Sequence, residues 1–337
     1  MATCELRANE VRKAAGRRPN LFVVGAMKAG STSLHEYLHQ HPQIYMSRFK
    51  EPQYFAPHRT RFGLWGQGNP LPEPGIDWYL RLFADAGDAK YAGETSVSYT
   101  ARHWVPGCEE RIWNFNRDAR IIYLMRDPVE RAISHYWHFV AAGRENLPPR
   151  EAMERRDDYV ARSDYAYQIE PYLARFGADR VFLVTVEELD AAPRETFNKL
   201  FRWLDVRVDV PIDVDERHNT SERVIRQSRR LARPLVLFLR GWRWACWKQR
   251  FPGWVTRMLE AAAFRTVDRA RVNLKPTIEY LRKRLLPTVP ALAELAGREF
   301  PEWTTLYQDG PNLGALTTNS CQNLAVARYD SHIDCLW

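Results

Sequence analysis

The apolar residues of this chain cluster in short runs that are separated by longer stretches with helical spacing. Four of the runs have the length and composition of buried strands, and they cover residues 21 to 24, 90 to 93, 120 to 125 and 180 to 184. Between the runs, apolar positions recur at the spacing of helices that pack on one face. Strands that alternate with helices predict an α/β fold with a central parallel sheet covered by helices.

A glycine-rich loop follows the first predicted strand and opens the first predicted helix. The segment Gly25-Ala26-Met27-Lys28-Ala29-Gly30-Ser31-Thr32-Ser33 offers backbone N–H groups at a helix N-terminus, where the helix dipole also favours an anion. The spacing of the two glycines is close to that of the phosphate-binding loop of nucleoside triphosphatases, but Lys28 precedes Gly30 instead of following it. A lysine there can meet the bridging oxygen of a phosphosulfate as the S–O bond breaks. The loop predicts an anion site in a P-loop-like three-layer fold, with an ordinary strand-to-helix turn as the alternative.

A second candidate anion site follows the third predicted strand. Asp127 as N-cap, Pro128 at the first helical position and Glu130 three residues after the cap predict the start of a helix. Arg126 stands at the mouth of this helix, and Ser134 lies about two turns beyond Asp127 on the same side. A guanidinium and a hydroxyl in this arrangement can hold one phosphate. The alternative is that Arg126 pairs with Asp127 or with a C-terminal carboxylate, and that Ser134 only packs.

Together the two motifs resemble those of the sulfotransferases that use 3'-phosphoadenosine 5'-phosphosulfate, PAPS. In that family the loop lysine binds the 5'-phosphosulfate, and an arginine with a serine eight residues later binds the 3'-phosphate. Lys28, Arg126 and Ser134 match these positions. The chain is most similar to the heparan-sulfate type and its soluble bacterial relatives, whose catalytic segment resembles residues 50 to 55. Further matching segments are 93 to 99, 187 to 189, 218 to 219, 275 to 276 and 296 to 303.

The resemblance implies roles for the residues of the site. It makes Glu51 the general base and Lys28 the group that stabilises the leaving oxygen, and it requires no metal ion. The implied cofactor-binding residues are Lys28, Ala29, Gly30, Ser31, Thr32, Ser33, Arg126, Ser134 and Lys275. Apolar neighbours can raise the pKa of Glu51, whereas Lys50 opposes that shift. The alternative bases are histidines, which cytosolic small-molecule sulfotransferases use: His35, His41, His58 and His135.

The implied reaction moves a sulfuryl group from PAPS to a hydroxyl or amine of a small metabolite, glycoside or saccharide by in-line displacement. Heparan-type enzymes often have a lysine after the glutamate of the segment that matches residues 93 to 99, but this chain has Thr95. The difference favours a smaller hydroxyl-bearing metabolite or a lipid-like glycoside over a polysaccharide. Two alternatives stay open: a P-loop-like small-molecule kinase, which would need a lysine after Gly30, and a non-catalytic adenosine-phosphate binding module, which would not need Glu51.

Composition limits the classes of partner. With 337 residues, of which 45% are hydrophobic, the chain can build one large core. The formal charge of +8 suits an anionic cofactor, nucleic acid or an anionic membrane. We find no zinc-ligand spacing, RNA-binding signature or base-stacking repeat, so we expect no nucleic-acid partner. No secretory signal and no apolar run of about 18 residues is present, so we expect a cytoplasmic chain without a transmembrane segment.

We expect an N-terminal extension over 1–18, a sulfotransferase domain over 19–303 and a polar C-terminal tail of low order over 304–337. Within the domain, the sequence predicts a loop over 66–75. The charged stretch 150–158 is predicted to be a mobile surface insertion. The segment from Leu235 to Trp254 mixes tryptophans with arginines. Four interpretations of this segment stay open: core packing, a lid at the acceptor site, a homo-oligomer contact, or an amphipathic segment that binds to a surface.

Overall fold

The architecture is a parallel sheet with flanking helices. The computed structural model describes residues 17–56, 75–214, 224–228 and 252–307. Five strands form one sheet in the spatial order β2-β3-β1-β4-β5, and every neighbouring pair is parallel. The strands are β1 (Leu21–Gly25), β2 (Ile44–Met46), β3 (Tyr91–Thr95), β4 (Arg120–Met125) and β5 (Val181–Thr185). The predicted α/β fold is confirmed, and the four predicted strands are found; β2, only three residues long, was not predicted.

The strands are buried because helices cover the sheet. All residues of β1 and β3 are buried, and a strand that is buried on both faces reads as a continuous apolar run. Because crossovers between parallel strands are right-handed as a rule, we expect the connection toward β2 and those toward β5 to run on opposite faces of the sheet. The helices are α1 (Ser31–His39), α2 (Ile76–Arg81), α3 (Cys108–Phe115), α4 (Pro128–Ala141), α5 (Pro149–Arg155), α6 (Asp158–Ala161), α7 (Tyr165–Phe176), α8 (Val186–Ala191), α9 (Pro193–Trp203), α10 (Gly253–Ala263), α11 (Lys275–Leu285) and α12 (Val289–Ala296).

A second, two-stranded sheet lies beside the first. Its strands, β6 (Val224–Ser228) and β7 (Phe264–Asp268), pair in antiparallel fashion, and β6 packs next to α4. A 3-10 turn, Arg269–Arg271, follows β7 directly. This pair therefore brings the chain after residue 268 back to the helix that carries the second anion motif.

The charged stretch 150–158 differs from its prediction. Instead of a mobile surface insertion, it forms α5 and the start of α6, and the side chains of Ala152 and Met153 are buried. Pro149 begins α5, and the ion pairs Arg150–Glu154 and Glu151–Arg155 stabilise its exposed side at i,i+4 spacing. The charged residues occupy the exposed face of the helix, and the other face packs against the protein interior. A high density of charge in the sequence therefore did not indicate a mobile segment here.

The described termini belong to the fold. Arg17 donates to the carbonyl oxygens of Ala89 and Lys90, next to β3. At the other end, residues 304–307, which were predicted to start the tail, are ordered against α4: the amide of Leu306 donates to Asp127 Oδ2 at 2.9 Å. Segments 1–16, 57–74, 215–223, 229–251 and 308–337 lie outside the described residues. With them lie the matching segment 218–219 and most of the predicted loop at 66–75, of the Trp-rich segment and of the tail.

Candidate active site

The site lies at the carboxyl edge of the parallel sheet, where the chain leaves β1, β3 and β4. These three strands are adjacent in the order β3-β1-β4, so the loops that follow them meet at one edge. Ligands of open α/β sheets bind at this edge. The strand ends, Gly25, Thr95 and Met125, each precede a segment that the sequence analysis singled out.

The loop after β1 is held close to β4. The amide of Ala26 donates to the Leu124 carbonyl at 2.6 Å. A side chain at Gly25 would clash, since its Cβ would lie 2.2 Å from Thr100 Oγ1. Gly30, with φ of +86°, is the N-cap of α1 and provides no side-chain cap, so the first-turn N–H groups of this helix point at the loop without intrahelical partners. This is the geometry of an anion-binding helix N-terminus.

Lys28 lies in this loop with φ of +71°, a left-handed conformation that costs a non-glycine residue of order 1 kcal/mol or more. Burial lowers the pKa of its ammonium, and the nearby charges of Arg126, Arg269, Lys50 and Arg131 lower it further. Five cations thus converge without a carboxylate among the causes. A bound anion would relieve their mutual repulsion, which explains why this arrangement suits a polyanionic ligand.

The second motif has the predicted helix start. Asp127 caps α4 by accepting from the amides of Val129 at 2.9 Å and Glu130 at 3.3 Å. Arg126 pairs with Glu130, from Nη2 to Oε2 at 2.5 Å, and not with Asp127. Because both side chains of the pair are at least one-third exposed, Arg126 can leave Glu130 and bind a ligand at a small cost in free energy. Ser134 is half-buried on the same helix.

Arg131, which the sequence analysis did not single out, joins the two motifs. It is fully buried on α4, and it donates to the Met27 carbonyl of the anion loop at 3.3 Å, to Ser163 Oγ at 2.6 Å and to the Tyr159 carbonyl at 2.5 Å. Burial lowers the pKa of its guanidinium to about 10, so it remains charged at neutral pH. Arg131 follows Arg126 by five residues, a spacing that puts the two side chains on different sides of the helix. This spacing could have been read from the sequence.

Arg269 is a second residue that sequence reasoning missed. It is half-buried in the 3-10 turn after β7, with its guanidinium carbon 5.3 Å from the centre of the Trp137 ring on α4. Its charge acts on both Lys28 and Arg126. Lys275, the predicted cofactor residue in this region, begins α11 with an exposed side chain, and no described contact links it to Lys28 or Arg126. The better-placed cation here is Arg269.

Glu51 lies beside the end of β3, where its amide donates to the Thr95 carbonyl at 2.9 Å. Its carboxylate receives the Val97 amide at 3.0 Å on Oε2 and the Lys50 ammonium at 2.9 Å on Oε1. The side chain is 10% exposed. Burial raises the pKa of Glu51, and Lys50 is the largest of the effects that lower it. The opposition between desolvation and Lys50 that the sequence predicted is confirmed.

A fully buried carboxylate, Glu94, lies beneath this segment. It accepts from Tyr79 at 2.5 Å and Tyr99 at 2.9 Å on Oε1, and from Ser96 at 2.7 Å on Oε2. Burial raises the pKa of Glu94 to about 7 against the effect of these three donors. Such a network is costly to build and holds its members in one arrangement.

The same network fixes the segment that carries Glu51. Ser96 Oγ accepts from the amide of Gln53 at 3.0 Å, and the Tyr99 hydroxyl accepts from the amide of Phe55 at 3.2 Å. Glu51 and Gln53 both have left-handed backbones, with φ of +59° and +53°. The strained turn is therefore held by bonds from both sides, which positions the Glu51 carboxylate.

Two of the alternative histidine bases have hydrogen-bond partners within the fold. His35 is buried, and because the Ser47 carbonyl can only accept from Nε2, its Nδ1 accepts from the Thr95 hydroxyl at 2.9 Å. His41 bonds to the Arg207 carbonyl at 3.0 Å. His135 is fully buried on α4, 3.4 Å from Asp158, and burial lowers its pKa well below the ordinary value. His58 lies outside the described residues.

Two absences apply to the described residues alone. Within the ranges that the structure covers, no three His, Cys, Asp or Glu side chains are grouped to hold a metal ion. No helix in those ranges is both long and apolar enough to cross a membrane.

Comparisons with known proteins identify the family. The family model of the sulfotransferase domain matches residues 18–231, more than half of the chain. The membrane-associated sulfotransferase kil1 of Dictyostelium discoideum is 35% identical over 138 residues, which are 40% of this chain and 26% of that protein. Heparan sulfate glucosamine 3-O-sulfotransferase 3A1 of Mus musculus is 25% identical over 199 residues, 56% of this chain and 46% of that protein. The chain thus spans less than half of either relative.

A solved structure agrees over most of the fold. The sulfotransferase from Alicyclobacillus acidocaldarius superimposes with a TM-score of 0.61 at 26% identity, covering 85% of this chain and 99% of that one. With a family model that matches from β1 through β6, these findings establish that the chain belongs to the sulfotransferase family.

Proposed function

We propose that this chain transfers a sulfuryl group from PAPS to a hydroxyl or amine of a small metabolite, glycoside or saccharide, with Glu51 as the base. The observation that carries the proposal is the convergence of a cation-lined anion loop and a buried carboxylate at one edge of the sheet. Lys28 belongs to the first and Glu51 to the second, and Lys50 acts on both.

The donor would bind with its two phosphate ends on two elements. The N-terminus of α1, with Lys28 and the hydroxyls of Ser31 to Ser33, would hold the 5'-phosphosulfate. Arg126 and Ser134 on the other element, with Arg269 above Trp137, would hold the 3'-phosphate. The repulsion among these cations in the free protein supports such a dianionic fit. Lys275 stays a weaker candidate, since its side chain is exposed.

The chemistry follows from the two ends of the site. The acceptor oxygen or nitrogen forms a bond to sulfur, while the bond from sulfur to the bridging oxygen of the donor breaks. The acceptor proton passes to Glu51, whose raised pKa makes it a stronger base than an exposed glutamate. The electron pair of the broken bond stays on the departing phosphate, where the ammonium of Lys28 stabilises the new charge.

Two features bear on the acceptor. Thr95 presents no charge, and its hydroxyl is bound to His35 in the core. Two residues before Glu51, Phe49 is 50% exposed and packs edge-to-face on Trp78 at 5.8 Å. An exposed aromatic residue two positions before the base favours a small or lipid-like glycoside acceptor over a long anionic polysaccharide. The printed names of the relatives include both a membrane-associated enzyme and saccharide enzymes.

The donor and the reaction are testable separately. Isothermal titration should show binding of 3'-phosphoadenosine 5'-phosphate, PAP, and much weaker binding of ATP; preference for ATP would favour the small-molecule kinase. Incubation with PAPS and a panel of phenols, amino sugars and glycosides, followed by mass spectrometry, should reveal an acceptor that gains one sulfate. If PAP binds tightly and no member of a broad panel gains sulfate with wild-type protein, the non-catalytic binding module would be favoured.

A further inference from the structure

We propose that Lys50 is a second catalytic residue, whose ammonium binds the oxygens of the sulfuryl group during transfer. The inference rests on the proposed function of the site. It adds to the Glu51 base and the Lys28 stabiliser a cation that is paired with Glu51 and whose charge acts on Lys28.

The first argument is the pairing of Lys50 with the base. Its Nζ lies 2.9 Å from Glu51 Oε1, and the Val97 amide holds the other oxygen at 3.0 Å. The carboxylate is therefore bound on one side by a backbone amide and on the other by a lysine side chain. Lys50 is 24% exposed, so its ammonium borders the space that an acceptor must enter to reach Glu51.

The second argument is the position of Lys50 relative to Lys28. Four cations act on the Lys28 ammonium, namely Arg126, Arg269, Lys50 and Arg131. Arg126 bonds to Glu130, Arg131 to the Met27 carbonyl, and Arg269 lies over Trp137. Of these four, Lys50 alone bonds to Glu51. An in-line transfer places the sulfur between the base end and the leaving-group end of the site, so Lys50 adjoins the path of the sulfuryl group.

The third argument concerns charge during the reaction. Glu51 can act as the base only when it is ionised, and Lys50 is paired with it in the free protein. When Glu51 takes the acceptor proton it becomes neutral, and its attraction for the ammonium falls. The sulfuryl oxygens carry negative charge at the same moment, so Lys50 can move its hydrogen bonds to them. A contact that strengthens only in the transition state raises kcat more than it raises ground-state affinity.

The experiment compares Lys50→Met, which keeps the length of the side chain and removes its charge, with a matched control. Lys199→Met removes a lysine that also lies 2.9 Å from a glutamate oxygen, but on the exposed surface of α9. For each variant we would measure kcat with PAPS and the acceptor found by the screen, and the Kd of PAP. PAP lacks the sulfuryl group, so its affinity reports the cofactor clamp alone.

A double-mutant cycle separates a catalytic role from simple positioning of the base. We expect Lys50→Met to lower kcat by about 100-fold or more, to change the Kd of PAP by less than about threefold, and to cost a similar factor when Glu51→Gln is already present. Lys199→Met should behave as wild type. If the loss disappears in the Glu51→Gln background, Lys50 only positions the base and the proposal is wrong. Near-normal kcat in Lys50→Met would also overturn it.

These outcomes differ from failure of the proposed function. That failure would appear in the wild-type protein, as no sulfate gain with PAPS. Failure of the Lys50 proposal appears in an active wild-type enzyme whose Glu51→Gln variant is impaired while Lys50→Met is not, or is impaired only when Glu51 is intact.

Discussion

Removal of the Arg126 guanidinium should weaken binding of the 3'-phosphate and leave the rest of the donor site intact. In the free protein Arg126 is bound to Glu130 through Nη2 at 2.5 Å and Nε at 3.2 Å. The two side chains are 34% and 40% exposed. Breaking such a pair costs roughly 0 to 1 kcal/mol. A hydrogen-bonded contact to a charged group contributes about 1.5 to 3 kcal/mol. The net loss for Arg126→Ala is therefore about 0.5 to 3 kcal/mol, or roughly 2- to 150-fold in the Kd of PAP.

The assay is isothermal titration of wild type and Arg126→Ala with PAP and with adenosine 5'-phosphate, which differs only by lacking the 3'-phosphate. We expect this weakening of the Kd for PAP, and a change of less than about threefold in the Kd for adenosine 5'-phosphate. Arg155→Ala is the matched control, because Arg155 makes a similar i,i+4 pair with Glu151 on α5, and it should bind both ligands as wild type does. Equal losses for the two ligands, or no loss for PAP, would refute the role of Arg126.

Three further outcomes follow from the same geometry. Arg269→Ala should raise the Kd of PAP by about tenfold in the same titration, since it removes a charge that acts on Lys28 and Arg126; an unchanged Kd would exclude Arg269 from the clamp. Arg131→Met should lower the free energy of unfolding by about 2 kcal/mol or more in urea, since three acceptors, two of them in buried hydrogen bonds, lose a donor; unchanged stability would contradict this. Because burial raises the pKa of Glu94 from 4.5 in the unfolded chain to about 7, the folded form holds its proton more tightly. Wild type should therefore lose on the order of 3 kcal/mol relative to Glu94→Gln as pH rises from 4.5 to 7; parallel stability profiles would show that Glu94 does not titrate in this window.

The sequence predicted best where the signal and its structural cause lie close together. Asp127 was identified as an N-cap from its neighbours alone, and its bonds to the amides of Val129 and Glu130 span three residues. Strand β1, which precedes Lys28, was predicted for a similar reason, because a strand buried on both faces is apolar along its whole length.

Features that depend on distant partners were missed. Arg269 reaches α4 only through the antiparallel pairing of β6 and β7, which no local pattern indicates. Asp158 was assigned to an exposed charged stretch, yet it is buried because His103 at 2.8 Å and Arg162 at 2.7 Å supply its partners. Charge density in sequence did not predict exposure there, because pairing offsets the cost of burial. The site roles of Glu51 and Ser134 are still predictions.

The most direct test of the account is the rate and PAP affinity of Glu51→Gln measured beside those of Lys28→Ala. Glutamine keeps the shape and hydrogen bonds of Glu51 but cannot take the acceptor proton, so kcat should fall by about 100- to 10,000-fold while the Kd of PAP stays near wild type. Lys28→Ala should lower kcat and also weaken PAP binding, because the same ammonium meets the phosphate before and during transfer. Wild-type turnover should fall as pH drops through the raised pKa of Glu51, and the glutamine variant should lose that inflection. Near-normal turnover of Glu51→Gln, under conditions where chemistry limits the rate, would contradict the central claim.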